Sequence, residues 1–79
     1  RVERTADDCL LVTGATGLVG RHMVSRALQH GWRVRALVRS VSAANYLADQ
    51  GAELVLGELS DPPSLARAVQ GVSVIVHCA

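Results

Sequence analysis

The chain has 79 residues, 49% of them hydrophobic, and a formal net charge of +1. That length allows one domain with a small core, because a chain of this size buries only roughly 60–65% of its unfolded surface. All eight basic residues are Arg, and seven acids are scattered among them, a balance that argues against a nucleic-acid surface.

Residues 1–8, R-V-E-R-T-A-D-D, are polar and unpatterned and read as a loose leader. No signal-peptide pattern is seen there, and no apolar run reaches the ~18 residues of a membrane span. The run Cys9-Leu10-Leu11-Val12, closed by Thr13, reads as a short strand buried on both faces. Gly14, Gly17 and Gly20 follow, with Val19, Met23, Ala27 and His30 at helical spacing. This predicts an amphipathic helix over residues 18–30, closed by Gly31, with Leu18, Val19 and Met23 in the core. Strand, glycine turn and helix in that order are the setting of a dinucleotide-binding fingerprint. The unpartnered N–H groups and positive dipole end of a helix N-terminus suit a pyrophosphate. Gly14 is expected to make the turn, Gly17 to let the backbone approach the phosphates, and Gly20 to let the helix pack closely on the strands.

A second strand is expected over Arg33–Val38, with Val34, Ala36 and Val38 on one face. Ser40 or Ser42 then caps a short helix through Gln50 that turns Ala44, Leu47 and Ala48 inward. Glu53–Leu56 reads as the third strand. Asp61 as N-cap, with Pro62 at the first helical position, starts a third helix that uses Leu65, Ala68 and Val69 and runs to Gln70. Residues 73–77 form the fourth strand, whose consecutive Val74, Ile75 and Val76 have the character of a strand covered on both faces. The alternation β-α-β-α-β-α-β predicts an α/β fold: a Rossmann-type, doubly wound parallel sheet in the order 3-2-1-4 with right-handed crossovers. Ligand is expected at the carboxyl ends of the strands, where strands one and four part. Because the last strand is too apolar for a sheet edge, residues 9–79 are expected to be the N-terminal part of a larger NAD(P)-binding domain.

At the end of the second strand, an acid would bond a ribose 2′-hydroxyl and favour NAD(H). This chain has Arg39 there, flanked by Val38 and Ser40. A guanidinium grips a 2′-phosphate and neutralises it, so NADP(H) is expected, with NAD(H) as the alternative. Arg21 and Arg35 are candidate assistants to Arg39, but are expected to be solvent-facing or structural. Cys9 and Cys78 stand at opposite ends of parallel strands, too far apart to bridge, and free thiols fit a reducing, cytoplasmic setting. No P-loop lysine follows the glycines, and His22, His30 and His77 lack zinc-ligand spacing, so no metal site is expected.

The string T-G-A-T-G-L-V-G, spaced G-x-x-G-x-x-G, resembles the extended and atypical short-chain dehydrogenase/reductase families. These include epimerases and dehydratases of nucleotide sugars, dihydroflavonol-reductase-like enzymes and NmrA-like proteins. V-R-A-L-V-R-S resembles the second-strand segment of their NADP-using members, G-E-L-S-D resembles their G-D-L-x-D segment, and V-I-V-H-C-A resembles their V-x-H-x-A-A segment. The resemblance implies that Gly14, Thr16, Gly17, Leu18 and Val19 hold the pyrophosphate, mostly through backbone, and that Arg39 holds the 2′-phosphate. It further implies that Glu58 reads the adenine amino group, Leu59 packs on the adenine ring, and Ala79 lines the nicotinamide-side ribose. Glu58 departs from the usual Asp. His77 is expected to be structural. The family's Tyr-x-x-x-Lys pair is absent from these residues, since Tyr46 is the sole tyrosine and there is no Lys, so no catalytic residue is assigned. The expected function is the NADP(H)-binding portion of an oxidoreductase, epimerase or dehydratase whose small-molecule substrate is bound elsewhere. The alternatives are an NmrA-like redox sensor or structural subunit that binds NADP(H) without turnover, or an inactive fragment. Oligomeric state is left open.

Overall fold

The computed structural model describes residues 8–78. In chain order it holds β1 (Cys9–Thr13), α1 (Leu18–Gln29), β2 (Arg33–Val38), a 3-10 turn (Ser42–Ala44) running into α2 (Asn45–Asp49), β3 (Glu53–Leu56), α3 (Pro62–Val69) and β4 (Val74–His77). Apart from Asp8, the expected leader lies outside the described residues, as does Ala79.

The strands form one parallel sheet in the order β3-β2-β1-β4, as the alternation implies. Leu10 pairs with Val34 on one side and Val74 on the other, so β1 is a central strand. Successive side chains of a strand point to opposite faces, so a strand covered on both must be apolar throughout. β1 meets that demand with five buried residues. Leu10 and Val12 face α1 and α2, joining Val24, Ala27, Ala44 and Leu47. Leu11 faces α3, joining Leu37 and Ala68, with Leu65 and Val55 packed against them. Arg35 is structural, as expected. Its Nη1 donates to the Ala68 carbonyl at 2.8 Å and the Gln70 carbonyl at 2.6 Å, and its Nε to Glu53 at 2.9 Å. The guanidinium thereby closes the C-terminal end of α3, where carbonyls lack helical partners. Cys9 and Cys78 are free and buried.

Several expected details differ. The buried stripe of α1 is Gly20, Val24 and Ala27, while Leu18 and Val19 are 65% and 63% exposed and His30 is the C-cap. A stripe that starts on a residue without a side chain is invisible to a hydrophobic pattern, and the apolar neighbours Val19 and Met23 draw the phase one position early. The second helix opens as a 3-10 turn in which the Ala43 N–H donates to Ser40 Oγ at 3.3 Å. Only five residues then remain for α2, so Ala44 and Leu47 turn inward and Ala48 does not. α3 stops at Val69, which is exposed, and β4 starts at Val74. On β4, Val74 and Ile75 are 42% and 56% exposed, since the strand lies at the sheet edge.

Candidate functional site

β1 delivers the chain to the carboxyl edge of the sheet at Thr13, and the path must reverse there to lay α1 back over it. Gly14 makes the reversal with φ +67, a region that side chains disfavour. Space forbids a side chain as well: a Cβ at Gly14 would overlap the Cys78 carbonyl oxygen at the end of β4. The Gly14 carbonyl accepts the Gly17 N–H at 3.2 Å and closes the turn. A Cβ at Gly20 would run into the Gly14–Ala15 backbone. Gly20 thus lets the helix pack on the turn, whereas the sequence reading assigned it to packing on the strands. Gly17 takes an extended conformation open to other residues, so its own geometry does not demand glycine.

The start of α1 is open. Gly17 at the N-cap offers no side chain, and the first turn holds no acid. The orphan N–H groups and dipole of this end are therefore uncompensated by side-chain caps, and negative charge is favoured there.

A cleft of about 380 Å³ lies beside this turn, across the carboxyl ends of the strands. Thr13, Gly14, Ala15 and Thr16 form one wall; Leu37, Val38 and Arg39 form the floor; Gly57, Glu58, Leu59 and Ser60 form the far wall; His77 and Cys78 close the end. The cleft thus gathers Gly14, Thr16, Arg39, Glu58 and Leu59 from the expected site residues. Gly17, Leu18 and Val19 sit at the mouth of α1 and do not line it, and Ala79 falls outside the described residues.

Arg39 supplies the one guanidinium of the lining, and no hydrogen bond or ion pair ties it to another described residue. Arg35, four residues earlier, is fully committed to Glu53 and α3. Arg21 is exposed. His77 is bound on its Nδ1 side to Thr13 Oγ1 at 2.7 Å, a bond between register partners of β1 and β4 that fits a structural role. Among the described residues no cluster of His, Cys, Asp or Glu could hold a metal ion, and no helix is long and apolar enough to cross a membrane.

One residue of this region escaped the sequence reading. Ser64, fully buried on α3, accepts the Glu58 N–H at 3.1 Å and lies 2.9 Å from the Asp61 carbonyl, to which it donates. Six serines are alike in sequence, and only the folding of residues 57–61 over this one sets it apart.

The NmrA-like family profile matches residues 6–79. The photosystem II assembly factor Ycf39 of Cyanophora paradoxa is 48% identical over 67 residues, covering 85% of this chain and 21% of that protein. Among solved structures, the Citrobacter sp. triphenylmethane reductase complexed with NADP(H) is 40% identical at a TM-score of 0.70, covering 84% of this chain and 24% of that one. A short-chain dehydrogenase/reductase superfamily protein from Agrobacterium tumefaciens with bound NAD is 35% identical at a TM-score of 0.73, covering 90% and 20%. The chain spans about a fifth of the length of the curated relatives it matches.

Proposed function

The chain belongs to the NmrA-like family, and on that footing we propose that it forms the NADP(H)-binding portion of a short-chain dehydrogenase/reductase-like protein. One juxtaposition carries the reading: an uncapped helix N-terminus stands beside a cleft whose one guanidinium, among the described residues, has no partner in the protein. The diphosphate lies along the backbone of Gly14, Thr16, Gly17, Leu18 and Val19. Arg39 takes the 2′-phosphate, Glu58 and Leu59 the adenine, and Ala79 the nicotinamide-side ribose. The cofactor supplies the hydride chemistry; these residues bind and orient it.

The choice of NADP(H) over NAD(H) rests on Arg39, since solved relatives of similar likeness carry one or the other. Residues 9–79 belong, in this reading, to the N-terminal part of a larger domain that binds a small-molecule substrate elsewhere. The exposed Ile75 on the edge strand and the fraction of each relative that is matched support that view. Two free, buried thiols support a reducing compartment such as the cytoplasm.

Calorimetric titration of the intact protein with NADPH and NADH tests the cofactor. A charge-assisted guanidinium–phosphate contact contributes about 1.5–3 kcal/mol, so NADPH binds roughly 10- to 100-fold tighter than NADH. Arg39→Ala abolishes that preference and leaves NADH affinity within about twofold of the unmutated protein. Equal affinities in the unmutated protein would overturn the assignment.

The likeness to an assembly factor favours a second reading, NADP(H) binding without turnover. A Tyr-x-x-x-Lys helix elsewhere in the intact protein would decide for the enzyme, and its absence for the binding subunit.

A further inference from the structure

We propose that Ser64 is a positioning residue for adenine recognition: a buried hydroxyl on α3 that fixes the wall carrying Glu58 and Leu59. The inference rests on the dinucleotide reading above and adds the residue that makes its base-reading wall rigid.

Residues 57–61 have little holding them in place besides this contact. Gly57 N–H is tied to the Val38 carbonyl at 2.9 Å, next to Arg39, and Asp61 N–H closes a turn onto the Glu58 carbonyl at 3.0 Å. Between these two ties the chain bulges into the cleft, with Glu58, Leu59 and Ser60 all exposed. Ser64 reaches under the bulge. Its oxygen accepts the Glu58 N–H at 3.1 Å, and its proton goes to the Asp61 carbonyl at 2.9 Å or the Glu58 carbonyl at 3.1 Å. One hydroxyl thus satisfies both ends of the turn, and it does so with no solvent exposure. Without it, the part-buried Glu58 N–H would lose its acceptor, while the Asp61 and Glu58 carbonyls would keep only the Leu65 and Asp61 N–H donors, and the loop would be free to shift.

Packing adds a second hold. A Cβ at Gly57 would collide with the Ser64 side chain and come within 3.2 Å of Leu37 Cδ1. The loop start therefore lies directly on Ser64, and the Cα of Glu58 is placed by contact as well as by hydrogen bond. The Glu58 carboxylate is oriented in turn, its Oε2 accepting from Ser60 Oγ at 3.3 Å. A carboxylate selects an adenine amino group only if it waits at a fixed distance from the base, so what Ser64 controls is selectivity for the base.

The test compares NADPH with its hypoxanthine analogue, in which the 6-amino group is replaced by a carbonyl. That change turns the donor facing Glu58 into an acceptor. The unmutated intact protein binds NADPH about tenfold or more tighter than the analogue, as expected for one charge-assisted hydrogen bond exchanged for a repulsion. In Ser64→Ala that ratio falls to about two or below, while the preference for NADPH over NADH at Arg39 persists. Gly57→Ala, which displaces the same contact from the loop side, lowers the ratio too. A loss of both ligands' affinity in Ser64→Ala with the ratio intact would make Ser64 merely structural and overturn the proposal. Equal binding of the two ligands by the unmutated protein would instead remove the Glu58 reading itself, and this proposal with it.

Discussion

On the Gly14 side of the cleft the backbone is held by the side chains it lacks, whereas on the Glu58 side it is held by one hydroxyl that it covers. Gly14 passes under the Cys78 carbonyl and Gly20 presses on the Gly14–Ala15 backbone, with no room at either for a Cβ. The result is a turn shaped by its main chain beside the uncapped start of α1, which in the proposed binding mode would suit any diphosphate and distinguish none. Across the cleft, Ser64 sets the place of Glu58 and Leu59, whose side chains differ in what they accept. In the proposed binding mode the first wall supplies affinity and the second supplies choice of base. Substitutions in the first should therefore cost the fold, and those in the second should cost selectivity.

The largest expected effect lies on the glycine wall. Gly14 and Gly71 have nearly the same left-handed backbone, φ +67 and φ +72, but no atom of the described residues lies within 4 Å of a Cβ at Gly71. Gly71→Ala meets the conformational term alone, about 1 kcal/mol of stability. Gly14→Ala meets that term plus a backbone oxygen that cannot swing aside, and a loss of about 3 kcal/mol or more is expected. Urea unfolding of the intact protein measures both. Equal losses would show that the turn yields, and that the contrast between a rigid and a supported wall is false.

A middle-sized effect separates the two ends of α3. Ser64 stands at the end facing the cleft, and Arg35 grips the other end through the Ala68 and Gln70 carbonyls. Arg35→Met removes these bonds from a side chain that is only 12% exposed, at an expected cost of about 1–3 kcal/mol. Little of it comes from Glu53, which is 56% exposed, so Glu53→Gln costs less than about 0.5 kcal/mol. Ligand choice should not change with either, because the contacts lie at the amino edge of the sheet. If Arg35→Met alters the ratio of NADPH to its hypoxanthine analogue, the loop is set by the whole helix and not by Ser64.

This contrast also explains what the sequence reveals. The glycine wall is legible because much of its cause is local: an apolar strand must turn at Gly14 and Gly20 must clear the Gly14–Ala15 backbone, although the Cys78 carbonyl that also excludes a side chain at Gly14 comes from the other end of the chain. The sheet order is legible for a similar reason, since alternating elements and five buried residues in β1 leave few arrangements. Leu18 and Val19 misled because burial in α1 follows Gly20, which hydrophobicity does not register. The Glu58 wall is legible only by resemblance. Its support is a contact between α3 and a loop that doubles back over it, and nothing near Ser64 in the chain distinguishes that hydroxyl from those of Ser60 or Ser73.

The smallest effect concerns the residue that looks, in sequence, like the support of this wall. Asp61 precedes Pro62 and occupies the N-cap of α3, yet its carboxylate makes no capping hydrogen bond. Its contribution runs through its main chain: the carbonyl receives Ser64 Oγ at 2.9 Å and the Leu65 N–H at 3.1 Å, and any residue can provide that. A bonded Asp cap is typically worth about 1 kcal/mol, and only a weak charge–dipole contribution remains without the bond. Asp61→Ala should therefore lower stability by about 0.5 kcal/mol or less and leave the ligand ratio unchanged, as urea unfolding and paired titrations would show. A ratio that drops as far as in Ser64→Ala would mean that the turn at 58–61 takes its shape from the Asp61 side chain. The division between a wall held by backbone and a wall held by one buried hydroxyl would then fail at its second half.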